Sequence, residues 1–141
     1  MTKKNKKISP DTKLKTNAFA DAARGLIYIS ETDADILLFV GTAASEVTAA
    51  EIRKQTGAAA DDKIETVDPA VFFERLTTIK EWFGDAEIDR AGRFLRLKEE
   101  LMRDLTDLQV FRVGTIRVDI YIVGIDSSGR LAGVKTKAVE T

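Results

Sequence analysis

The residues of this 141-residue chain that could do chemistry are carboxylates, lysines, arginines, tyrosines and hydroxyls, because it contains neither Cys nor His. Those two absences remove disulfide scaffolds, zinc sites of the thiolate and imidazole kinds, thiol nucleophiles, and every mechanism that uses imidazole as a general base. No nucleophile and base pair can be named from what is left, so the sequence reads as that of a non-enzyme. Glu31, Asp33 and Asp35 alternate like the opening of a calcium loop. Ile36 stands at the sixth position, where the tight turn needs Gly, and Thr42 at the twelfth, where a bidentate carboxylate belongs. The three therefore read as solvated carboxylates between two strands. Phosphate-cradling loops are missing too: Gly41 and Gly57 stand alone, and the segment from Gly124 to Gly129 lacks the Lys and Ser/Thr ending.

Two features stand apart from composition. Trp82 is the single tryptophan and sits among charges in Lys80, Glu81, Trp82, Phe83, Gly84. By burial tendency a lone Trp is a core residue, yet Trp is also enriched at binding hot spots, and a loop position between two helices raises the second reading. The other feature is the last strand, which runs to Val139 and leaves only Glu140 and Thr141 beyond it. An end tied into a sheet holds its hydroxyl and carboxylate oxygens in a defined place, and such hard oxygens suit Mg²⁺.

The elements that must position these groups follow from capping and periodicity. Pro10 after Ser9 and Pro69 after Asp68 mark helix starts. The first helix is expected from about Pro10 to Arg24, stopped by Gly25, with Leu14, Phe19, Ala22 and Ala23 on its apolar face. Leu26 to Ile29 and Ile36 to Val40 read as strands on either side of the polar run Ser30 to Asp35. Thr48 and Glu51 form a capping box for a short helix closed by Gly57, and Ile64 to Val67 is a strand. Asp68 caps a helix through Leu76, with Val67 and Phe72 spaced as a hydrophobic staple.

A long helix is expected from about Asp85 to Leu105. One stripe of it carries Ile88, Ala91, Leu95 and Met102, and an adjoining one carries Phe94, Leu97, Leu101 and Leu105. Three β-rich runs close the chain, Val110 to Val113, Ile116 to Val123 and Leu131 to Val139, separated by turns at Gly114 and Asp126 to Gly129. This order predicts an α+β domain whose central, largely antiparallel sheet is flanked by helices.

Charge is uneven along the chain. Residues 1–15 carry six Lys against one Asp, a net of +5, which leaves −6 on residues 16–141 of a chain whose total is −1. Residues 1–15 thus read as a basic N-terminal extension running into the first helix, and residues 16–141 as one mildly acidic domain with no direct nucleic-acid binding. The basic head does not lead into an apolar run, and the longest uncharged stretch, Ile36 to Ser45, is about half a membrane span. A cytoplasmic protein without membrane attachment is expected.

In order along the chain stand Gly25 and Leu26 leading into Ser30 and Glu31, then Gln55, Thr56 and Gly57, then Val67, Asp68, Phe72 and Phe73. Trp82 follows, then Asp119, Tyr121 and Gly124, and the closing run Leu131 to Thr141. With this order and spacing the chain resembles the nuclease A inhibitor family of cyanobacteria and its bacterial relatives, whose members block a sugar-nonspecific DNA/RNA endonuclease.

The resemblance implies an α/β/α sandwich that plugs the nuclease active site as a one-to-one complex, the inhibitor being a monomer when free. It implies partner-binding roles for Glu31, Trp82 and Thr141, with Glu81 and Glu140 as weaker candidates. Thr141 would reach the catalytic divalent cation (Mg) of the partner nuclease, and the inhibitor would need no cofactor of its own. Lys80, just before Glu81 and Trp82, departs from the family pattern, and a charge change beside a hot spot retunes partner choice. The alternative is a protein-interaction module of the same fold with a different, non-nuclease partner.

Overall fold

A computed structural model gives the structure of the protein and describes residues 18–141. The basic extension and the expected start of the first helix at Pro10, with Leu14, lie outside the described residues. Helix α1 is seen over 18–23, with Phe19, Ala22 and Ala23 buried. Gly25, at φ +73°, turns the chain out of it, as only a residue without Cβ does readily.

Strands β1 (Ile27–Ile29) and β2 (Asp33–Asp35) form an antiparallel hairpin in which Ile27 faces Asp35 and Ile29 faces Asp33. The polar run expected as a loop is thus partly strand. Its side chains carry no apolar alternation; a turn in which Ser30 N–H donates to Thr32 C=O at 2.9 Å closes the hairpin, and Thr136 supports it at Asp35 C=O.

Strand β3 (Leu37–Ala43) leads to helix α2 (Ala49–Thr56), then β4 (Ile64–Val67), α3 (Pro69–Thr77) and α4 (Asp85–Asp104). The N-caps act as expected for α2 and α3: Thr48 Oγ1 accepts from Glu51 N–H at 3.1 Å, and Asp68 Oδ1 accepts from Ala70 N–H at 2.7 Å. The capping box at α2 is only half made, because the Glu51 carboxylate takes the Gln55 side-chain amide at 2.6 Å. That amide in turn pairs with Thr42 of β3, accepting from its N–H at 2.8 Å and donating to its C=O at 3.3 Å. The glutamine therefore ties α2 to the sheet edge.

The chain closes with β5 (Thr106–Val113), β6 (Arg117–Ile125) and β7 (Arg130–Val139). The five strands pair antiparallel throughout in the order β3-β7-β6-β5-β4, and the β1–β2 hairpin is a separate two-stranded sheet. Alternation along the strands separates two cores, one on each face. Val118, Ile120 and Ile122 pack with α1, α3 and α4, while Phe111, Val123 and Leu131 pack with Ile52 of α2. The result is a mixed α+β fold with helices on both faces of an antiparallel sheet.

Helix α4 buries Phe94, Leu97 and Leu101 together with Ala91. Ile88, Leu95 and Met102, expected near the buried stripe, stay exposed because α4 lies on the sheet along one narrow line and α3 packs beside it. Close approach demands glycine at position 133 of β7, where a Cβ would lie 2.0 Å from the carbonyl oxygen of Ile122 in β6.

Candidate interaction site

The β1–β2 turn packs against the end of β7, and hydrogen bonds fasten the two together. Glu31 N–H donates to Val139 C=O at 3.2 Å, and Val139 N–H donates to Ser30 Oγ at 3.0 Å. Further back, Thr136 Oγ1 donates to Asp35 C=O at 2.9 Å. Glu140 N–H is held from the other side by Ile116 C=O at 2.9 Å. The segment after β7 therefore leaves the sheet along a path set by two neighbouring elements.

That path ends on Glu31. Thr141 N–H donates to Glu31 Oε2 at 2.8 Å, and the Thr141 hydroxyl lies 2.9 and 3.0 Å from Oε1 and Oε2. Two residues singled out separately along the chain thus meet as a clasp, 110 positions apart. The Thr141 backbone N–H, then its hydroxyl, favour the charged carboxylate and lower the Glu31 pKa against a small opposing effect of burial. Because the folded pKa is depressed, the clasp should be complete above the ordinary glutamate value and be lost as pH falls through the lower folded value. An NMR titration of the Glu31 side-chain carboxyl should show that step below the ordinary glutamate value, and removing Thr141 should bring it back up.

Beside the clasp lies a groove of about 560 Å³ between the hairpin and α3. Its floor includes the stacked rings of Tyr28 and Phe72, 6.0 Å apart and within 6° of parallel. Arg112 of β5 reaches in between two carboxylates, pairing with Glu140 and lying 3.5 Å from Glu65. Burial works against its charge, but Glu140 and Glu65 outweigh it and raise its pKa further. Nothing in the sequence patterns above pointed to Arg112. The available signal was a lone cation in the apolar run Val110 to Val113, where strand alternation turns it away from Phe111 and Val113.

Trp82 lies in the turn between α3 and α4 and is 72% exposed, so the core reading of this residue is excluded. Its ring stands edge-on to Phe83, with centroids 4.8 Å apart. Phe83 lines a smaller cleft with Ile29 and Arg75, and those two also line the groove beside Glu31. One surface therefore runs from the clasp to the tryptophan loop. Exposed Ile29 and Val71 give it apolar ground, and Glu31, Glu65, Arg75, Arg112 and Glu140 make it charged as well. Glu81 is exposed in the tryptophan turn, whereas Glu140 is engaged by Arg112. Among the described residues no group of three or more carboxylates is arranged to hold a metal, and Asp33 and Asp35 face out along a strand.

The model of the nuclease A inhibitor-like protein family matches residues 14–141, nearly the whole chain. The chain belongs to the nuclease A inhibitor-like family. A search of curated proteins finds no match. Family membership carries a general nuclease-inhibitor role and a nuclease as partner, and the matched region includes Glu31, Trp82 and Thr141. No helix among the described residues is long and apolar enough to cross a membrane.

Proposed function

We propose that the protein inhibits a metal-dependent, sugar-nonspecific endonuclease by docking the surface between the clasp and Trp82 over the active site. The observation that carries this reading is the clasp itself, in which Thr141 and Glu31 converge at the rim of a groove with an aromatic floor and charged walls. Inhibition then requires occupation of the site and no chemistry by the inhibitor.

Electrostatics favours such a partner. A nuclease must present positive charge to phosphate backbones, and the −6 carried beyond residue 15 attracts it and orients the encounter. Glu31, already ionised and aimed, suits an active-site arginine, because desolvated bidentate pairs of this kind are far stronger than exposed ones.

The Thr141 hydroxyl and the two Glu31 oxygens are hard donors within 3.0 Å of one another. They are too few to hold a divalent cation alone, and the Thr141 hydroxyl, with Glu31 left to the arginine, fits the role of completing the shell of one that the nuclease holds. When bound there, the cation supplies charge stabilisation and an activated water to the nuclease's own reaction. On this side of the interface Thr141 takes the position that water or a phosphate oxygen would need. A cytoplasmic monomer that forms a one-to-one complex satisfies all of this.

Titrating the protein into a metal-dependent nonspecific nuclease of the same organism, or a cyanobacterial one, should abolish cleavage at a one-to-one ratio. Full nuclease activity at micromolar excess of the protein would overturn the proposal. Recovery, by pull-down, of a partner without nuclease activity would favour a drifted interaction module instead.

A further inference from the structure

Between the last paired residue of β7, Val139, and Thr141 stands a single residue, Glu140. Its backbone N–H is fixed by Ile116, and its carboxylate is taken by Arg112. Fixing both ends of one residue leaves few torsions by which the next can wander. Arg112 is well suited to the task. It projects from β5, which is paired on both sides by β4 and β6, and its side chain is only 18% exposed against 44% for that of Glu140. Its second partner, Glu65 on β4, lies 3.5 Å from the guanidinium Nε, so a neighbouring strand also helps hold the fork that Glu140 meets.

We infer that Arg112 is a positioning residue of the inhibitory site, holding Glu140 so that Thr141 is presented to the nuclease in its bound geometry. The inference rests on the proposed function above, and it assigns the source of preorganisation at that site. Ordering a chain end before binding removes an entropic cost from association, so the effect falls on affinity and leaves the fold in place. Arg112 acts through Glu140, and this separates it from a residue that merely supports the sheet.

The experiment compares the parent chain, Arg112→Gln, Glu140→Gln and the double variant, reading the inhibition constant and the NMR backbone order parameter of Thr141. Each single change should raise the inhibition constant about tenfold, and the double change should be no worse than either, as expected for two residues in one unit. The Thr141 order parameter should fall from the rigid range near about 0.8 to below about 0.6 in both single variants. Arg112→Lys keeps the charge but cannot span Glu65 and Glu140 together, and it should recover part of the loss.

Unchanged inhibition in Arg112→Gln, or losses that add in the double variant, would overturn the inference while leaving the inhibitor function standing. If the parent chain fails to inhibit, the functional reading fails on its own. The order parameter then decides alone: a drop in Arg112→Gln supports the positioning role, and an unchanged value refutes it.

Discussion

Deleting Thr141 is expected to weaken nuclease inhibition by about 100-fold, a loss of about 2 to 3 kcal/mol of the size seen at interface hot spots. The unfolding midpoint should stay close to that of the parent chain. Thr141 is exposed, and its hydrogen bonds reach only Glu31, itself exposed on the hairpin turn, so no core contact is lost. The remaining segment stays fastened, since Glu140 keeps Ile116 and Arg112, and Val139 keeps Ser30. A C-terminal tag should do similar damage, because added chain must pass through the space the hydroxyl occupies. Asp33→Ala is the matched control, an exposed acidic neighbour of Glu31 that pairs with Ile29 in the hairpin. A tagged protein as potent as the untagged one would rule out docking through Thr141.

Trp82→Ala should cost about 2 kcal/mol or more of binding, roughly 30-fold in affinity, because a large rigid ring is exposed where little else holds it. At 72% exposure the indole contributes little to folding. Among the described residues its ring contact is with Phe83, which also lines the cleft with Ile29 and should stay there when the indole is gone. The midpoint of thermal unfolding should therefore move by no more than about 2 °C for a chain of this length. Inhibition kinetics and calorimetry on the same preparations separate the two effects. A variant that unfolds would make Trp82 a structural residue, and an unfolded result without loss of affinity per folded molecule would remove it from the interface. Lys80→Ala, which leaves Glu81 and Trp82 in place, reads how the neighbouring charge tunes the choice of nuclease.

Local rules carried most of the fold. Asp68 with Pro69, Thr48, Gly57 and the turn from Asp126 to Gly129 act within a few residues of themselves, so their effects are visible in the chain order of residue types. At that last turn Asp126 Oδ1 accepts from the N–H groups of Ser128 and Arg130, at 2.9 and 3.0 Å, which is local chemistry of the same kind. The misses arose where a distant partner decided the outcome. Asp33 and Asp35 pair as a strand because the hairpin leans on β7, and Glu51 turns from its own cap to Gln55 because Gln55 is drawn to Thr42. On α4 periodicity alone joined two adjoining stripes into one wide apolar face. Contact with the sheet and α3 chose Phe94, Leu97 and Leu101 and left Leu95 and Met102 outside.

The candidate site divides along the same line. Residue types and their order sufficed to exclude thiol and imidazole chemistry, to place an acidic body behind a basic head, and to set Trp82 and the chain end apart, since each of these depends on what is present and where along the chain, while Glu31 was marked only by the family resemblance. Only the tertiary structure decided that Trp82 is exposed, that Glu31 and Thr141 are one clasp, and that Arg112 grips Glu140 beside it. The physical reason is range. Capping and alternation act over a few residues, whereas the clasp joins positions 110 apart, and a bond that long in sequence exists only after the sheet has brought β7 and the hairpin together.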